Sequence, residues 1–136
     1  MNSTLTPELF WLTLVTLLTS AMWVPYIINW IAENGVVDAL WRPMNFDHSQ
    51  PRARWAVRML RAHENAVENL VIFATLVLVL NALSISTPLT VTAFAVYFWA
   101  RLTHFLCFTF AVPAMRVVSF LVGFGAQVAL LAAIFA

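Results

Sequence analysis

Four residues of one segment, Arg58, Arg61, Asn65 and Glu68, carry the groups from which a polar binding site can be built. Helical geometry places them together. At about 100° per residue, with Arg58 as origin, Arg54 falls at about −40°, Arg61 at about −60°, Asn65 at about −20°, Glu68 at about −80° and Asn69 at about +20°. These polar groups share an arc of about 100°. Guanidiniums fork to carboxylates, a carboxylate holds an ammonium, and a carboxamide meets a peptide group, so the set suits a zwitterionic, peptide-like small molecule. It does not suit an electron-transfer cofactor. A later segment has a second narrow face: with Tyr97 as origin, Arg101 lies at about +40°, His104 at about −20° and Phe108 at about +20°.

The elements that must position these faces are unusually apolar. The chain has 136 residues, 62% hydrophobic and 10% charged, with six Trp and eleven Phe, and its mean hydropathy is +0.87. Such a composition is too apolar for a soluble domain of this length, and the bilayer is the expected solvent. The formal net charge is +1 and the seven basic residues are all Arg, which leaves neither a nucleic-acid footprint nor a polybasic lipid-binding tail. The one cysteine, Cys107, lies in an apolar stretch and reads as a small filler. No multi-Cys pattern surrounds it, and no metal site is expected.

Leu9 to Ile31 is uncharged and would reach roughly 34 Å as a helix, enough for a core of ~30 Å. Ser3 or Thr4 with Pro7 and Glu8 makes a helix start, the run is too long for a signal peptide, and Pro25 should kink it. Ala32 to Gln50, with Glu33, Gly35, Asp38, Arg42, Pro43, Asp47 and His48, reads as an extramembrane loop. Pro51 opens the next helix. Arg52 to Leu83 can run unbroken, but its apolar part, Leu70 to Leu80, is too short to cross alone, so Asn65, Glu68 and Asn69 must lie below the membrane surface. Asn81 to Pro88 and Ala111 to Met115 are short turns that leave room only for helical hairpins. The expectation is an all-α membrane protein: one domain over residues 1–136, a bundle of four transmembrane helices at about 9–31, 52–83, 89–110 and 117–136. Arginine placement puts both termini outside and the first and third connections, with Arg42, Arg52, Arg54 and Arg116, in the cytoplasm.

An ionised group at the bilayer centre costs at least ~2.5 to 3.5 kcal/mol, so the polar faces should meet each other, a neighbouring subunit or a wet cavity. Two readings stay open at this point. The stripe is a ligand site, or Arg58, Arg61 and Glu68 form ion pairs that lock helix packing, with Arg52 and Arg54 at the interface.

The run Arg58, Met59, Leu60, Arg61, Ala62, His63, Glu64, Asn65, Ala66, Val67, Glu68 resembles the signature of the MAPEG superfamily, the membrane-associated proteins in eicosanoid and glutathione metabolism. There the pattern is Arg, Ala, a polar residue, any residue, Asn, two residues, then Glu, opening the second of four transmembrane helices. The likeness extends through Arg101 in the third span to Arg116 at the start of the fourth. It implies a bacterial-type member in the inner membrane: a homotrimer among membrane lipids, with glutathione as co-substrate bound between subunits near the cytoplasmic side. By the same resemblance Arg58, Arg61, Asn65 and Glu68 hold glutathione, Arg101 and His104 complete the wall, and Arg116 stabilises the thiolate. A guanidinium there lowers the thiol pKa, and the thiolate is the nucleophile. The implied activity is transfer or peroxidase chemistry on lipophilic small molecules from the bilayer. From another class, a non-catalytic protein would keep the stripe for trimer assembly, another anionic ligand or a lipid headgroup. Phe108 stands where several members carry a tyrosine, and Asn29, Glu33 and Asn34 stand where better-known members carry a first-span arginine.

The remaining polar and aromatic residues have simpler readings. His63 falls at about +140°, away from the stripe, and should pack or cap. His48 has no second ligand at metal spacing. Trp11, Trp23, Trp30, Trp41 and Trp99 are interface anchors or packing residues. Gly123, Gly125 and Ala126 permit close helix approach without a full GxxxG motif.

Overall fold

A computed structural model of the chain describes residues 5–41 and 51–136, and the regular elements among them are all helical. Ser3, Thr4, Arg42, Pro43, Asp47 and His48 lie outside the described residues. In chain order the helices are α1 (Pro7–Ala21), α2 (Trp23–Asn34), α3 (Val36–Trp41), α4 (Arg54–Ala82), α5 (Pro88–Thr109) and α6 (Met115–Phe135). Helices α1 and α2 together, α4, α5 and α6 are each long and apolar enough to cross a membrane, at 28, 29, 22 and 21 residues. The protein is a multi-pass integral membrane protein.

The first span shows how local chemistry sets the path of the chain. Thr6 caps α1, its hydroxyl accepting from the Leu9 amide at 3.4 Å, and Pro7 occupies the first helical position, where a missing N–H costs nothing. The break between α1 and α2 falls at Met22, just upstream of Pro25. Proline offers no N–H to the carbonyl four residues back, and its ring crowds that carbonyl. The Met22 amide turns instead to the Thr19 carbonyl at 3.3 Å.

Ala32, Glu33 and Asn34 belong to α2, not to the loop expected from Ala32 onward. Polar side chains bonded to their own helix one turn back explain the difference: Asn29 Nδ2 donates to Glu33 Oε1 at 2.7 Å, and Asn34 Nδ2 donates to the Trp30 carbonyl at 2.9 Å. Gly35 ends the helix at φ 88, a conformation that glycine alone adopts without a Cβ clash. A short apolar helix follows, with Val36, Val37, Leu40 and Trp41 all exposed.

The polar arc of α4 is held in register from its first turn. Its N-cap residue, Ala53, has no side-chain acceptor, and the Glu33 carboxylate supplies one from a distance. Glu33 accepts from the Arg52 amide at 2.7 Å and from the Ala53 amide at 3.0 Å. The end of the first span therefore ties down the start of the second. At the other end Thr87 and Thr90 form a reciprocal capping box before α5, with Pro88 again in the first turn.

Two apolar clusters fill the bundle. Val15, Phe73, Leu76, Val77, Leu80, Phe94, Tyr97 and Leu130 form one, with Phe73 and Tyr97 stacked at 3.9 Å between centroids. Met22, Tyr26, Ala56, Met59, Ala62, Ala66 and Phe105 form the other. Between them along α4 and α5 stand Asn69, Arg101 and His104, and Asn65 lies beside Ala66 of the second. Gly123 of α6 faces Ala100 and the Arg101 stem of α5, where a Cβ would make ordinary van der Waals contact with each at 3.6 Å. Gly125 has nothing within 4 Å and takes no part in that contact. The turn joining these helices places Ala111 at φ 58 and Ala114 at φ 60, the left-handed region that L side chains resist.

Replacing Glu33 with Ala leaves two amides at the start of α4 without their acceptor. The expected result is a lower melting temperature and faster hydrogen exchange at Arg52 and Ala53. Unchanged exchange at those two amides would show that Glu33 does not cap the helix.

Candidate functional site

The arc on α4 splits into two halves, and the order of its angles decides which residue goes where. Arg58, Asn65 and Asn69, at about 0°, −20° and +20°, face the rest of the bundle; Arg54, Arg61 and Glu68, at about −40°, −60° and −80°, face away from it. Burial follows the same order: the first three are partly buried and the last three exposed.

The inward half joins helices. Arg58 Nε donates to the Thr109 carbonyl at 2.8 Å, placing a cation on the last turn of α5, where carbonyls lack intrahelical partners and the helix dipole favours positive charge. Arg101, 3% exposed, donates from a terminal nitrogen to Asn65 Oδ1 at 2.6 Å. Its Nε is buried with no partner among the described residues. The Asn69 amide donates to the Asn65 carbonyl at 2.9 Å, and Gln127 Nε2 donates to the Asn69 carbonyl at 3.2 Å. Polar groups of α4, α5 and α6 thus form one connected layer inside the span.

His104 is also inside, at 5% exposure, between Phe108 and Phe120. Its Nδ1 lies 2.8 Å from the Arg116 carbonyl. A carbonyl only accepts, so Nδ1 carries the hydrogen. This bond fastens the first turn of α6 to α5. The Arg116 side chain is exposed, its guanidinium carbon 6.0 Å from the centre of the Phe108 ring.

The outward half behaves differently. Arg61 Nη1 meets Glu64 at 2.9 Å, an exposed ion pair one turn apart. Such a pair contributes little, and neither charge is held firmly. Glu68 has no hydrogen bond or ion pair among the described residues. The expectation that Arg58, Arg61 and Glu68 pair with one another to lock the packing is not met within the described chain: Arg58 binds a carbonyl, Arg61 binds Glu64, and Glu68 stands alone.

Beside this arrangement lies an apolar hollow of about 380 Å³ between α5 and α6, bounded by Ala95, Val96, Trp99, Met115, Val118 and Val122. Thr103 and Ser119 also border it, and Met115 is the immediate neighbour of Arg116.

Several contacts around the site are not apparent from sequence periodicity. His63 hydrogen-bonds Tyr26 through Nδ1 at 2.9 Å, which joins α2 to the back of α4 and accords with its place off the stripe. Thr109 enters through a backbone carbonyl, to which side-chain type gives no clue. Gln127 did carry a signal: it is an amide with apolar neighbours on both sides in the fourth span, where an unpaired polar group is expensive.

Four membrane-crossing helices around a polar layer, with charged groups turned outward on the second, define a membrane protein of the four-helix class. The sequence profile of the MAPEG family matches residues 9–136, and the chain belongs to that family of glutathione-related membrane enzymes. No curated protein and no solved structure matches the chain.

The Tyr26 to His63 contact gives a direct test of how the first span is held. Tyr26→Phe and His63→Leu should each lower stability by about 1 kcal/mol, and the double variant should lose little more than either alone. Fully additive losses in thermal denaturation would show that the two side chains do not act together.

Proposed function

We propose that this protein is a glutathione-dependent membrane enzyme, transferase-like or peroxidase-like, acting on lipophilic electrophiles that enter from the bilayer. The observation that carries this reading is the outward half of the stripe in a MAPEG chain. Arg61 and Glu68 lie exposed in a membrane-spanning helix, with Asn65 between them. Charged groups in such a place call for a ligand or a second subunit.

In this reading the protein is a homotrimer and glutathione lies between subunits. Arg58 and Arg61 draw its carboxylates, Glu68 takes its ammonium, Asn65 meets a peptide group, and Arg101 and His104 form the wall behind. Arg116 faces the thiol and stabilises the thiolate, which attacks the electrophile. His104 sets where Arg116 begins, through the bond to its carbonyl. The apolar hollow next to Met115 offers room for a lipophilic group near that end. The bacterial inner membrane is the proposed location, with both termini outside and the Arg-bearing connections in the cytoplasm.

A second reading has its own support. Arg58 and Arg101 are both engaged within the chain, as structural residues would be. A non-catalytic protein would use the stripe for trimer assembly, or for another anionic ligand or lipid.

Saturable thermal stabilisation of the purified protein by glutathione, lost in Arg61→Ala and in Glu68→Ala, is the expected result. Melting unchanged at millimolar glutathione would overturn the enzymatic reading. Dissociation of the oligomer by Arg61→Ala, with no ligand effect in the wild type, would favour assembly. For orientation, a tag after Ala136 should be cut by protease added to intact spheroplasts; cleavage only after lysis would reverse the topology.

A further inference from the structure

Asn65 stands at the edge of the inward half of the stripe, half-buried, with one end of its side-chain amide bonded within the bundle and the other free. Its Oδ1 accepts from Arg101 at 2.6 Å, and its Nδ2 has no partner among the described residues. Side-chain amides are ordinarily ambiguous, because oxygen and nitrogen can exchange places by a flip. Arg101 removes the ambiguity. A guanidinium has five donors and no acceptor, so only the oxygen end of the amide can face it. The fixing group is itself immobile: Arg101 is 3% exposed and its stem packs 3.6 Å from the position a Cβ on Gly123 would occupy. The helix carrying Asn65 is held in turn by the Asn69 and Gln127 amides.

We propose that Arg101 is a positioning residue that turns the Asn65 amide N–H2 toward the ligand, so that the stripe offers donors at Arg61 and Asn65 and an acceptor at Glu68. This rests on the reading of the stripe as a glutathione site and deepens it by assigning the polarity of each position. Arg61, Asn65 and Glu68 are spaced along α4 by about 6 Å and about 4.5 Å, from the rise of 1.5 Å per residue. The ligand selected is an elongated zwitterion with carbonyl or carboxylate oxygens over Arg61 and Asn65 and an ammonium some 10 Å along the helix, at Glu68. A molecule with an N–H donor at the Asn65 position meets another donor and is rejected, since an unpaired polar group in a desolvated site is costly.

The test compares purified variants by melting temperature and by glutathione affinity. Asn65→Asp keeps an acceptor for Arg101 but replaces the free N–H2 with an anionic oxygen. It should melt at or above the wild-type temperature while affinity falls by about tenfold or more. Arg101→Gln should weaken binding by about tenfold, Arg101→Lys should recover most of it, and Arg101→Gln added to Asn65→Ala should change affinity by less than about twofold. Wild-type affinity in Asn65→Asp, or additive effects of Arg101→Gln and Asn65→Ala, would overturn the proposal. If the wild type binds no glutathione, the functional reading falls, and melting temperatures decide the positioning role: non-additive losses for Arg101→Gln and Asn65→Ala support it and additive losses overturn it. If Arg101→Gln does not fold, Asn65→Asp and Arg101→Lys carry the same decision.

Discussion

The hydrogen bond from Arg101 to Asn65 puts a permanent charge inside a bundle whose solvent is hydrocarbon, and much of the architecture serves to accommodate it. A guanidinium offers five donors and no acceptor, so inside a bundle it has to be met by acceptors. It is met by an amide oxygen, and the surrounding layer adds the Asn69 and Gln127 amides. The two apolar clusters lie on either side of this layer, one toward the Phe73 and Phe94 end and one toward the Tyr26 and Met59 end. A polar layer at that place specifies helix register, because sliding any helix by a turn would leave a buried donor or acceptor unmet.

The α4 arc splits into an edge that is bonded within the bundle and an edge that is exposed. Groups at its inner edge join helices, and Arg58 closes the end of α5 as a cap. Groups at its outer edge have weak partners or none among the described residues. Asn65, at the edge of the inner half, is bonded to Arg101 through its oxygen, and its nitrogen has no partner among the described residues.

Long-range fastenings do for the ends of the helices what local caps do elsewhere. Glu33 caps α4 across the undescribed part of the first connection, Tyr26 and His63 join the second part of the first span to the back of the stripe helix, and His104 holds the first turn of α6. The interruption at Met22 frees the lower part of the first span to lean on α4, where Met22 and Tyr26 join Ala56, Met59 and Ala62 in one apolar cluster. Left-handed Ala111 and Ala114 make the last connection short enough to bring Arg116 back beside Phe108.

Sequence by itself determined the solvent, the helical class and the membership of the polar arc. Apolar runs of spanning length and the period of about 3.6 residues are local properties, readable without knowing any neighbour. The signature from Arg61 to Glu68 pointed to the MAPEG family for the same reason: its spacing lies within one helix. Only the tertiary structure decided which half of the arc turns inward, that Arg101 reaches Asn65, that Arg58 ends on a backbone carbonyl, and that Glu33 caps a helix beginning some twenty residues later in the chain. Those facts depend on how α4, α5 and α6 rotate against one another and on where the chain returns after its first connection. Periodicity gives each helix a polar face but no absolute rotation. The bonds that join α4 to Arg101 of α5 and Gln127 of α6 supply it.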